Sequence, residues 1–186
     1  VKFRGVAQKL GISPGNVSYH FAKREDLIVG LAAELSTRNA PLGELVPTTF
    51  ADLLERYRRT LQHQYEHRGL VVALPHLVST YPAMRRAYRQ TEATRMAQQR
   101  TQLAQLRDVG LIDADDTTLD RLVAHIALVA RFWLAEYQTT FDRWPVDEVI
   151  SHYISLIAGL LLPYASRERR SDLDHFLDGQ IHPTRT

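Results

Sequence analysis

The 186-residue chain contains no cysteine. A disulfide framework and a thiolate metal site are therefore excluded, and a reducing cytoplasm fits. Lysine is scarce, with three of the 23 basic residues being lysine and the rest arginine, a bias that suits a GC-rich genome. Residues 1–24 hold no Asp or Glu. No uninterrupted apolar run approaches a membrane span; the best candidate, residues 149–162, is broken by Ser151, His152 and Ser155. Strand signals and internal repeats are missing too. What is present is a composition 45% hydrophobic, enough for a sizeable core, and helical spacing of apolar residues throughout.

The acid-free start is strongly basic. Lys2, Arg4, Lys9, Lys23 and Arg24 give residues 1–24 a charge of +5, leaving −3 for the remainder of a chain whose net charge is +2. One end this basic suggests a confined polyanion-binding surface. Val6, Ala7 and Leu10 repeat at helical spacing, and Gly11 is placed to end that helix. Ile12 plugs the turn, Ser13 is a helix N-cap, and Pro14 fits the first helical position without losing a bond. Val17 and Phe21 share one face and can be buried. Asn16, Ser18, Tyr19 and His20 are left on the others, and Gly15 lets another backbone or a nucleic acid come close. Helix, tight turn, short helix with a polar outer face is the layout of a helix-turn-helix.

Residues 3–31, FRGVAQKLGISPGNVSYHFAKREDLIVGL, resemble the second to fourth helices of TetR-type transcriptional regulators. The residues that carry the resemblance are Val6-Ala7, Leu10-Gly11-Ile12-Ser13-Pro14-Gly15, Tyr19-His20-Phe21 and Arg24-Glu25-Asp26-Leu27. The motif covers about a sixth of the chain; beyond it the likeness is one of all-helical layout. The family has a helix before Val1, so the sequence reads as part of a longer protein whose first helix is missing. Ser18 stands where an aromatic residue is common, which implies a different base preference. Lys23 stands at a helix start, where its charge opposes the helix dipole. Either it meets a DNA phosphate or it is a solvated lysine.

Further along, helical spacing predicts a helix from Glu25 to about Asn39, with a break at Pro41, Gly43 and Pro47. An amphipathic helix follows over residues 49–67, then a short apolar segment over 70–80 holding Pro75, and a long Arg- and Gln-rich helix over 82–109 closed by Gly110. Residues 117–142 and 146–165 carry apolar stripes wider than one face, so each helix must be central or meet another subunit. Residues 167–186 read as a polar tail with one helical turn near Leu173–Leu177. The expected domains are 1–40, which bind DNA, and 41–186, a helical ligand-binding and dimerisation domain.

Candidates for chemistry in the larger domain are few. His63-Gln64-Tyr65-Glu66-His67 matches the H-x-x-E-H arrangement of inverted zinc peptidases, with two imidazoles one turn apart. It sits at a helix end in an Arg-rich region, without a marked third ligand, although Glu92 or His76 could serve; it reads as an incidental exposed His pair. Arg131 interrupts an otherwise apolar run and needs a partner: a structural salt bridge, favoured here, or a ligand anion. His125 is equally ambiguous. With Tyr57, Met84, Tyr88 and Trp133 these residues form the candidate ligand pocket, although an aromatic stripe at helical spacing is more often plain core.

The fold class expected is all-α, an amino-terminal helix-turn-helix unit followed by a helical domain. The resemblance implies a dimeric bacterial regulator, a repressor released from a roughly palindromic operator by a small molecule, with no catalytic activity, metal, cofactor or membrane attachment. The competing reading is a helical scaffold without sequence-specific DNA recognition. The DNA-facing set is Arg4, Ser13, Gly15, Asn16, Ser18, Tyr19, His20, Lys23 and Arg24. The expected dimer interface uses Tyr153, Ile157, Leu160 and Leu161.

Overall fold

Glycine and capping side chains set the helix ends in the computed structural model, which describes residues 3–178. Val1, Lys2 and residues 179–186 of the expected tail lie outside the described residues. The helices are α1 (Phe3–Leu10), α2 (Pro14–His20), α3 (Arg24–Glu44), α4 (Phe50–Glu66), α5 (Arg68–Thr80), α6 (Pro82–Asp108), α7 (Asp116–Thr140), α8 (Val146–Leu161) and α9 (Arg170–Asp178). No strand occurs among the described residues.

Gly11 has φ of 65°, and the Ile12 and Gly11 N–H groups return to the Ala7 and Gln8 carbonyls at 3.0 and 3.4 Å. This Schellman closure ends α1 and needs a left-handed residue. Gly110, at φ 74°, ends α6 the same way. Helix starts are closed by Ser13, by Thr49 with Asp52, and by Asp115.

Hydrogen bonds from Thr49 and Thr48 hold the Asp52 carboxyl below its ordinary pKa of 3.8, and Thr118 does the same for Asp115. Arg107 and Arg100 lower Asp116. Depressed carboxylates stabilise the fold above their unfolded pKa, and that stabilisation is lost as pH falls through the folded values. Thermal melts should therefore show stability dropping below about pH 4, and Asp52→Asn should flatten that drop. An unchanged acid limb in the variant would refute the assignment.

The main core gathers Leu53, Leu61, Leu103, Leu106, Trp133, Ile154, Ile157 and Leu161 from α4, α6, α7 and α8. A second cluster of Ile28, Leu77 and Met84 sits where α3 meets α5 and α6. α3 packs along α6 and α4, and α8 fills the space between α4 and α7.

Several boundaries differ from the expectation. Pro41 does not break α3, which runs on to Glu44 and so crosses the boundary expected at residue 40. In the last turn Pro41 forfeits only the bond to the Thr37 carbonyl, and the Leu42 carbonyl, left without a partner by the helix end, accepts from Arg56 and Gln102. Pro75 lies inside a 13-residue helix. The tail contributes α9, whose Leu173 is fully buried. Residues Val146–Tyr164 are long and apolar enough to span a membrane despite Ser151, His152 and Ser155. Eight residues of α8 are buried in this core, which accounts for their composition.

Candidate nucleic-acid interface

The short helix α2 is built to show one face. Ser13 Oγ accepts the Asn16 N–H at 3.1 Å, and Pro14 occupies the first turn. Val17 is buried, and Phe21 packs on α3 so closely that a Cβ at Gly30 would lie 3.2 Å from its ring. A side chain at Gly30 would need the Phe21 ring to give by a few tenths of an ångström.

The outer face is free. Asn16, Ser18, Tyr19 and His20 are all exposed, and Tyr19 is 86% exposed with its ring edge-on to His20. A large aromatic side chain so fully in solvent contributes little to the fold. The Ser18 hydroxyl donates to the Pro14 carbonyl at 3.0 Å, which leaves its oxygen as an acceptor. A methyl group at Gly15 would meet only Ser13 Oγ, at 3.8 Å, so nothing within the chain demands glycine there. Arg4 on α1 is exposed as well.

At the start of α3, Lys23 and Arg24 are exposed, while the two acids that follow are engaged elsewhere. Asp26 accepts the Lys23 N–H at 2.9 Å and so completes the helix start that the lysine side chain cannot cap. Glu25 accepts the Ala83 N–H at 2.9 Å, closing the N-terminus of α6, where Tyr81 offers no side-chain cap. This tie, 58 residues apart in sequence, joins the helix-turn-helix unit to the larger domain. No local pattern signals it. The surface formed by α1, α2 and the start of α3 is thus rich in donors, with the first carboxylates committed to backbone N–H groups.

The expected ligand residues are brought together only in part. Tyr57 is buried and its hydroxyl accepts from Gln99 Nε2 at 2.7 Å. Met84 belongs to the smaller core beside α3, and Tyr88 lies under the Arg95 guanidinium at 5.3 Å. His125 is exposed on α7. Trp133 is buried and donates to Gln64 Oε1 at 2.6 Å. Arg131 pairs with Glu92 of α6 within the chain. Tyr88 and Arg131 flank the same Arg95 and Glu92 pair of side chains, whereas Tyr57 and Trp133 lie in the main core, Met84 in the smaller one and His125 on the surface.

The H-x-x-E-H stretch ties α4 to α3 rather than standing exposed. His63 Nδ1 meets Asn39 Oδ1 at 2.8 Å, Glu66 pairs with Arg38, and His67 pairs with Glu34. Burial, followed by the nearby Arg38 charge, lowers the His63 pKa. An open cleft of about 440 Å³ lies beside it, lined by Arg38, His63, Tyr65, Glu66 and, from α8, Asp147 and Ile150.

The expected interface residues are also redistributed. Tyr153, Ile157 and Leu161 are consumed by the chain's own core, and only Leu160 is partly exposed. The outward row consists instead of Leu128 and Phe132 on α7 with Leu156 and Gly159 on α8. A Cβ at Gly159 would meet nothing within 4 Å.

The TetR family model, described as a bacterial transcriptional repressor, matches residues 32–173. Among solved structures, a TetR-family transcriptional regulator from Marinobacter aquaeolei VT8 is similar over 96% of this chain and 87% of that chain, with a TM-score of 0.85. At 22% identity the likeness is one of fold. No curated protein matches the sequence.

Proposed function

The chain belongs to the TetR family of transcriptional regulators, and from that premise we propose that it works as a dimeric repressor released from a palindromic operator by a small molecule. The observation that carries the DNA-reading part is the exposed face of α2, above all a solvent-facing Tyr19 with no carboxylate on α1 or α2. In the major groove, Asn16, Ser18 and Tyr19 would meet base edges, with Gly15 permitting close approach and Ser13 fixing the helix start. Tyr19, His20, Lys23, Arg24 and Arg4 would meet phosphates, which position the helix without reading sequence.

Two half-sites need two copies, and the apolar row on α7 and α8 supports pairing through those helices. Release by a ligand requires coupling between the domains. The Glu25–Ala83 bond and the Ile28, Leu77, Met84 cluster supply a contact through which it can pass. Such a regulator acts in the cytoplasm, where the DNA is.

Selection of bound sequences from random DNA tests the reading directly. Asn16→Ala should relax preference at one position, at about 1–3 kcal/mol of discrimination. Lys23→Ala or Arg24→Ala should weaken all sequences alike and reduce the salt slope by about one ion each. No enrichment of any sequence by the parent protein would sink the proposal.

A further inference from the structure

We propose that Lys23 is an acylation site, and that transfer of an acyl group from an acyl phosphate to its Nζ weakens the hold of this surface on DNA. Arginine is the chain's usual cation, yet its three lysines, Lys2, Lys9 and Lys23, all fall within the first 23 residues. A guanidinium stays protonated and is a poor acyl acceptor, whereas a lysine amine can give up its proton and become a nucleophile. Side-chain amines open to modification are therefore confined to the end of the chain that carries the recognition helix.

Of the two lysines among the described residues, Lys23 is the better placed. It is exposed at the start of α3. Its ammonium has no hydrogen bond or ion pair among the described residues. The two nearby acids are engaged by backbone instead: Asp26 accepts the Lys23 N–H and Glu25 the Ala83 N–H, each at 2.9 Å. No salt bridge has to break before the amine reacts. An acyl phosphate is a dianion, and Lys23, Arg24 and the positive end of α3 all attract it. Lys9 is exposed too, but it lies in the last turn of α1, at the negative end of that helix.

The step itself is simple. The amine, one proton lost to water, attacks the acyl carbon. The bond from that carbon to the phosphate oxygen breaks, phosphate leaves with the electron pair and takes up a second proton from nitrogen, and an amide remains. One positive charge is gone, and with it a charged donor for a DNA phosphate. The fold should be spared, because the Lys23 side chain caps no N–H and its charge opposes the helix dipole. Only the consequence for DNA rests on the function proposed above; the acylation itself does not.

The test treats the full chain with acetyl phosphate and follows the three lysines by peptide mass spectrometry. Lys23 should be acetylated at least about threefold faster than Lys9, the scale of opposite helix-end effects. Affinity for a short mixed-sequence duplex at low salt is the second readout, since a phosphate contact needs no particular sequence. A double variant, Lys2→Arg with Lys9→Arg, keeps Lys23 as its sole lysine. On acetylation it should lose about tenfold in affinity while its melting temperature holds. Lys23→Arg, treated for the same time, should keep its own untreated affinity. Lys9 reacting as fast as Lys23, no acetylation of Lys23, or equal DNA binding by the double variant before and after acetylation would overturn the proposal. Acetylation led by Lys23 in a protein without affinity for the duplex would uphold the site and count against DNA reading, so the two fail separately.

Discussion

Phe132→Glu combined with Leu156→Glu is expected to leave the helices intact, halve the mass of the particle in solution and abolish tight operator binding. Phe132 and Leu156 are 48% and 42% exposed on α7 and α8, so neither substitution breaches the core. Leu128, one turn before Phe132, is exposed as well, and a Cβ at Gly159 would meet nothing within 4 Å. Two copies of α7 and α8 packed as a four-helix bundle would bury these side chains around a two-fold axis. Four carboxylates brought together there, two from each copy, would lose hydration and repel one another. A monomer must bind each half-site separately and forfeits an effective-concentration gain of about 10²–10⁴. Light scattering and operator binding at matched salt check both halves. A parent protein already monomeric at micromolar concentration would refute the assignment, as would an unaffected dimer in the double variant.

Leu161→Glu should behave quite differently and unfold the protein. Leu161 has no exposed surface, in contact with the core that α8 shares with α4 and α7. Loss of a buried leucine side chain alone costs about 2–5 kcal/mol. A carboxylate in its place adds a desolvation cost with no partner to offset it. Against a total stability of about 5–15 kcal/mol, that sum removes most of the folded population. Leu160→Glu, one residue earlier on the partly exposed side, should retain native circular dichroism and a urea midpoint near that of the parent. Similar midpoints for the two variants would contradict the placement of α8.

The contrast between these neighbours marks the limit of sequence reading. The spacing in residues 117–142 and 146–165 reveals stripes wider than one face, but not which side meets the chain's own core. That choice is set by α4, whose contacts with α8 are long-range. Tyr153, Ile157 and Leu161 look like interface residues in isolation because nothing local distinguishes internal from external apolar neighbours. The recognition unit is more legible. Ser13, Pro14 and Gly11 act on backbone groups within a few residues, so their roles follow from spacing alone. The partners of His63, Glu66 and His67 lie on α3, and that of Arg131 on α6. A motif search sees the two histidines and the glutamate but not Asn39, Arg38 and Glu34, which occupy them. Glu25 is the same case in reverse, an ordinary first-turn acid that turns out to close another helix.

The continuity of α3 past Pro41 has a geometric consequence. Twenty-one residues in one helix make a rod about 31 Å long. A tilt of about 5° about its Leu42 end would displace the Lys23 end by nearly 3 Å, close to the ~3.4 Å rise of one base pair along a strand. In a two-fold pair the displacements oppose each other, so the separation between reading heads would change by up to about 5 Å. That exceeds one step of the double helix while asking each protomer for a rotation that packed side chains can absorb. In such a pair, small angular play of the rod, at the expense of the Glu25–Ala83 bond, would be enough to put both half-sites out of register together.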